Sequence, residues 1–208
     1  QGVLVALYYN KSALPTPPAT TSELLSMLQN DGKSIAGVGD IGSYFYYGFW
    51  DAFGGQLMDG TGRCTADQGG YDLAMQYLRD LQTAGASLAT DYASAETMFL
   101  NGNVDMLING PWTLANYEAV LGADLGVAIL PSGPSGVAHV FTDSVGFYVN
   151  PNTANPADVV NLALYMTNQA SSQIFTDVGG DIPVRTDVSS ADSLINAFAQ
   201  IFAQGNPR

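Results

Sequence analysis

The run VLVALYYN, Val3 to Asn10, carries no charge and no alternation of apolar with polar positions. Successive side chains of a strand point to opposite faces, so a run of this kind must be covered on both sides. The following segments can supply that cover. LPTPPATTSELLSMLQNDG gives an extended Pro segment, a Thr20 to Glu23 capping-box spacing, Leu24, Leu25 and Leu28 on one helical face, and a stop at Gly32. A short SIAGVG strand leads into SYFYYGFWDAFGG, where Tyr44, Phe45, Tyr46, Tyr47, Phe49, Trp50 and Phe53 precede a Gly54-Gly55 stop. That many aromatics in so short a stretch cannot all face one core.

Periodicity predicts a helix over 70–84 with Leu73, Tyr77, Leu78 and Leu81 on its stripe, and another over 94–101 burying Ala95, Met98 and Phe99. VDMLI, Val104 to Ile108, reads as a strand. In INGPW, Ile108 to Trp112, Pro111 suits the first position of a helix, where its missing N–H leaves no bond unmade. LGVAILP and SVGFYVNP read as further strands, followed by helices near 156–167, 171–178 and 192–204, the last with Leu194, Ile195, Phe198, Ile201 and Phe202. Strands alternating with helices predict a layered α/β domain.

Composition removes several functions. With 208 residues, 47% of them hydrophobic, the chain can fill a core. Six Lys and Arg against 19 Asp and Glu, a net charge of -13, oppose nucleic acid or an anionic membrane as partner. No apolar run reaches the roughly 20 residues that span a bilayer, and the first residues lack the basic region of a signal peptide, so the chain is expected to be soluble. One cysteine, Cys64, excludes an internal disulfide and a cysteine metal cluster. The one imidazole, His139, lies far along the chain from Cys64, and no nucleophile-elbow pattern is present. GGDIPVR and GDIGS lack the lysine of a phosphate loop and the dinucleotide fingerprint. No cofactor and no metal site are expected.

The positive signal is aromatic. Sugars present flat, weakly apolar C–H faces rimmed by hydroxyls, so their sites combine aromatic rings with hydrogen-bonding side chains. Trp112, Tyr44, Tyr47 and Trp50, with Asp40, Asn109 and Asn116, offer these groups. Trp112 stands at a strand-to-helix turn, where α/β folds place ligands.

The chain resembles the extracellular solute-binding proteins of ABC sugar importers, of the maltose-binding-protein type. The resemblance runs in order through ALYYNKSALPTPPATTSELL, SYFYYGFWDAFGG, TDYASAETMFLNGNVDMLINGPW, LGVAILPSGPSG, GFYVNPNTANPADVVNLALYMTN, GGDIPVR and AQGNPR. It implies a type II periplasmic-binding-protein-like fold, two α/β lobes closing over an oligosaccharide, of which residues 1–208 form a single domain like the C-terminal lobe, with helices around a mixed sheet. It implies non-catalytic binding, permease subunits as partners, and an extracellular or periplasmic protein, anchored as a lipoprotein at full length. Trp112 and Tyr44 are then the rings that stack on sugar, with Phe45 beside them. Gly42 stands where the family has a carboxylate, and Asp40 is the nearest substitute.

The family's N-terminal lobe of about a hundred residues and its last helices have no counterpart here. Residues 151–187 correspond to a segment that packs on that lobe. Val159, Leu162, Ala163 and Met166 would then lie bare, to be covered by repacking, by a second copy in a homodimer, or by exchange of elements. Two other readings remain open. A glycoside hydrolase fragment would use two of Asp40, Asp51, Glu96, Asp105 and Asp143 across a cleft. A protein-interaction module would use the aromatics as an anchoring patch.

Overall fold

The computed structural model describes residues 1–39 and 44–207, with backbone alone at 206 and 207. The strands are β1 (Gly2–Val3), β2 (Ala6–Asn10), β3 (Ile35–Val38), β4 (Ser87–Thr90), β5 (Met106–Asn109), β6 (Leu125–Ala128), β7 (Phe141–Ser144) and β8 (Asn206–Pro207). The α-helices are α1 (Thr21–Asn30), α2 (Tyr47–Ala52), α3 (Tyr71–Thr83), α4 (Tyr92–Leu100), α5 (Leu114–Leu121), α6 (Pro156–Met166), α7 (Gln169–Gly179) and α8 (Ser193–Gln204). Five strands form a sheet in the order β4-β3-β5-β2-β6, and three form a smaller one in the order β1-β7-β8. The larger sheet is mixed: β3 runs parallel to β4 and β5, while β2 runs antiparallel to β5 and β6.

The apolar run at the start is buried as its composition requires, yet it is not one strand. β1 pairs with β7 and β2 with β5 and β6, so the chain passes from one sheet to the other through Leu4 and Val5, both fully buried. Neighbouring residues from Leu4 to Tyr8 all lie out of solvent, which means that both faces of the sheet are covered here. The α1 capping box is present: Thr20 Oγ1 accepts from the Glu23 N–H and the Glu23 carboxylate accepts from the Thr20 N–H.

The aromatic stretch divides between two clusters. Tyr46 and Phe49 enter the main core, whereas Tyr47 and Trp50 join Ala74 of α3 in a separate cluster against Phe141. In α3 the inward stripe is Ala74, Tyr77, Leu78 and Leu81, at the i, i+3, i+4, i+7 spacing, and Leu73 falls to its solvent side. Asp51 of α2 accepts from the backbone N–H of His139 at 3.0 Å and meets its ring Nδ1 at 2.7 Å, which ties the 131–140 loop to α2.

Strand structure in SVGFYVNP ends at Ser144. Residues 145–150 form no strand, and Tyr148 is 94% exposed, since no described strand lies alongside to take its backbone bonds. No residue of α6 is buried, and Leu162, Leu164 and Tyr165 are open to solvent.

Candidate functional site

β5 ends at Asn109, and the chain turns through Gly110 into a short 3-10 turn, Pro111–Thr113, that opens α5. Two donors secure the turn from inside: Tyr8 Oη and Thr113 Oγ1 both donate to the Gly110 carbonyl, at 2.9 and 3.1 Å. Gly110 has an extended backbone, φ -102 and ψ 175, that any residue adopts. Its lack of a side chain serves close packing instead, because a Cβ there would lie 2.5 Å from Trp112 Cε3 and closer still to other ring atoms. The indole therefore lies against bare backbone.

Trp112 is 44% exposed and forms part of the wall of a cavity of about 750 Å³. Pro111, Leu114, Ala115 and Glu118 continue its side of the wall; the far side is the end of α7 with residues 179–182, and the start of α8 closes it. The volume lies in the range of small-molecule sites. Its charged side chains are Glu118, Asp177, Asp181 and Asp192, so the lining is rich in hydrogen-bond acceptors. Burial, and then the neighbouring charge of Asp192, raises the Glu118 carboxyl above its ordinary value. Burial likewise raises Asp181, with the amino terminus opposing the shift. Asp192 also caps α8, accepting from the Leu194 N–H at 2.7 Å.

The sequence-predicted residues occupy different levels. Trp112 is on the surface of the cavity, and Asn109 is directly behind it, fully buried. The Asn109 amide donates to Tyr117 Oη at 2.9 Å and Tyr92 Oη at 3.3 Å, and its carbonyl accepts from the Gly110 N–H at 2.8 Å. With its groups so engaged, Asn109 supports the turn and is not presented to a ligand. Tyr47 is also withdrawn, stacked on Phe141 with ring centroids 3.6 Å apart. Tyr44 and Phe45 form a half-buried edge-to-face pair at 5.7 Å and are not among the lining residues of this cavity. Asp40 lies outside the described residues.

Sequence reasoning missed Tyr92. Its hydroxyl accepts from Trp112 Nε1 at 2.6 Å as well as from Asn109. The available signal was its place in TDYASAE, one residue after the Asp91 that caps α4. Three of the carboxylates considered for hydrolysis have structural partners: Glu96 accepts from Tyr117 Oη at 2.9 Å, Asp105 accepts from the Ser34 N–H at 2.8 Å, and Asp51 holds His139. Among the described residues no group of three or more His, Cys, Asp or Glu could hold a metal ion.

Known proteins resemble the chain along nearly its whole length. It is 28% identical over 200 residues to maltodextrin-binding protein MdxE of Bacillus subtilis, covering 86% of this chain and 48% of that protein. The maltotriose-binding protein of Thermus thermophilus, solved with maltotriose, superposes with a TM-score of 0.77 at 28% identity, over 99% of this chain and 59% of that one. The GacH receptor of Streptomyces glaucescens has the same fold, with a TM-score of 0.86 at 22% identity over 100% of this chain and 58% of that one. The chain thus spans about half the length of the curated relatives it matches. A family model of the bacterial extracellular solute-binding proteins matches residues 2–202, and the chain belongs to that family.

Proposed function

We propose that this chain is part of a receptor that binds an oligosaccharide of the maltodextrin type without catalysis and hands it to the permease subunits of an ABC importer. The observation that carries the reading is an exposed indole face, Trp112, on a cavity of about 750 Å³ lined with acceptors. The ring suits the C–H face of a pyranose, and the carboxylates suit its hydroxyl donors. Relatives described as maltodextrin-binding and maltotriose-binding support the same ligand class, and lipoproteins among the relatives support an anchored protein outside the cell membrane. Tyr44 and Phe45 are proposed as a second aromatic contact.

The test is tryptophan fluorescence titrated with maltose, maltotriose and unrelated oligosaccharides. Trp50 is buried, so the change is expected from Trp112, and Trp112→Ala is expected to abolish it. Residues 1–208 span about half the length of the relatives, so binding by this stretch alone is expected to be weaker than binding by a protein of their full length. No saturable response up to the solubility limit of maltotriose, here and in a protein of the relatives' full length, would falsify the reading. Release of reducing ends would favour hydrolysis instead.

The apolar surface of 151–187 is proposed to be a covered face, either against a further lobe or against a second copy. The supporting observation is that no residue of α6 is buried.

A further inference from the structure

Trp112 is a large side chain on a short turn, and nearly half of its surface is open. Such a ring would ordinarily sample several rotamers and would have to be ordered when a ligand binds. Two contacts oppose that freedom. The ring lies against Gly110, and its Nε1–H donates to Tyr92 Oη at 2.6 Å.

The phenol oxygen is itself held. A hydroxyl has two acceptor positions, and Tyr92 fills the second with the Asn109 amide at 3.3 Å. Asn109 is fully buried and also donates to Tyr117, which donates to Glu96 on the same helix as Tyr92. α4, which carries Tyr92 and Glu96, packs on β3 and β5. The surface indole is thereby connected through a buried polar network to the main sheet.

We infer that Tyr92 is the positioning residue of this site: its hydroxyl locks the Trp112 indole in place and uses up its only donor, so that Trp112 meets a ligand with its ring face alone. The functional value of this lock rests on the sugar-binding reading; its structural content does not. Burial raises the Tyr92 phenol above its ordinary value, the Asn109 and Trp112 donors pull it back, and Glu96 adds to the rise. The hydroxyl therefore keeps its proton through the neutral range.

The experiment compares Tyr92→Phe with the parent by acrylamide quenching and time-resolved anisotropy, Trp112→Phe identifying the signal of the buried Trp50. Tyr92→Phe is expected to raise the quenching of Trp112, to add a fast anisotropy decay, and to weaken oligosaccharide binding by about 3- to 10-fold, the ordering of one side chain. Tyr77→Phe is the control, since Tyr77 donates a comparable buried bond to the Thr21 carbonyl and has no part in the network. Unchanged quenching and anisotropy in Tyr92→Phe overturn the inference, and so does an equal change in Tyr77→Phe. Raised quenching with no sugar response in parent or variant, nor in a protein of the relatives' full length, leaves the lock standing and removes the sugar reading. If Tyr92→Phe fails to fold, the indole N–H of the parent decides: slow exchange with solvent supports the lock, and exchange as fast as in a free indole overturns it.

Discussion

Gly110→Ala separates two reasons for a glycine. Were Gly110 needed for its backbone conformation, alanine would strain the turn; its φ of -102 shows no such need. The structural obstacle is Trp112. The new Cβ would lie 2.5 Å from Cε3 and nearer to other ring atoms, whereas carbon atoms rest about 3.5 to 4.0 Å apart. The ring must retreat by about 1 Å or more. A retreat of that size carries the Trp112–Tyr92 hydrogen bond from 2.6 Å to beyond any useful length. Losing it costs about 0.5 to 1.5 kcal/mol net. Replacing glycine in a compatible conformation returns about 0.4 to 1 kcal/mol by restricting the unfolded chain. The two terms nearly cancel, so Gly110→Ala is expected to shift Tm by only a few degrees while releasing the indole. Thermal melts and acrylamide quenching read the two effects separately. A variant with parental quenching, or one that melts like a core-cavity mutant, would refute the close-packing argument.

The other predictions concern charge, capping and assembly. The Glu118 carboxyl is raised in the folded state, so its contribution to stability is complete while it is protonated and declines as pH rises from the unfolded value through the folded one. Ionised Glu118 thus opposes folding at neutral pH; Glu118→Gln should melt higher than the parent at pH 7, with the gap closing in acid, and a lower melting point at pH 7 would contradict the assignment. Thr20→Ala removes one half of the α1 capping box and should cost about 1 kcal/mol in denaturant unfolding, with an unchanged fold by circular dichroism. Light scattering should show self-association of the isolated chain through the 151–187 face, reduced by Leu164→Asp, whose parent side chain is 64% exposed; a monodisperse monomer would count against a second copy as the cover.

What could be read from the sequence was set locally. The capping box at Thr20, the Pro111 entry and the α8 stripe depend on neighbours within a turn or two, and each is in place. The division of Val3–Asn10 between two sheets depends on partner strands far along the chain, at Met106–Asn109 and Phe141–Ser144, which no local pattern encodes. SVGFYVNP has strand-forming composition but no partner along most of its length among the described residues. At the site, Trp112 stood out because a large ring after Asn-Gly-Pro is conspicuous. Asn109 looked like a ligand residue by type, but burial made it a support. Tyr92 lies 20 residues before its partner Trp112 and meets it only because α4 packs beside β5.

The pairing of β2 has a kinetic consequence. Ala6–Asn10 finds its partners only at Met106–Asn109 and Leu125–Ala128, so about a hundred residues must be in hand before either edge is satisfied. Closing so long a loop is slow, and until it closes a strand whose first three residues are fully buried in the folded chain has both edges unpaired. β3, β4 and β5 lie closer together along the chain, and they can associate without it. β2 is therefore expected to insert late between β5 and β6, and the interval before insertion is when the chain is most exposed to aggregation and most open to capture by a chaperone.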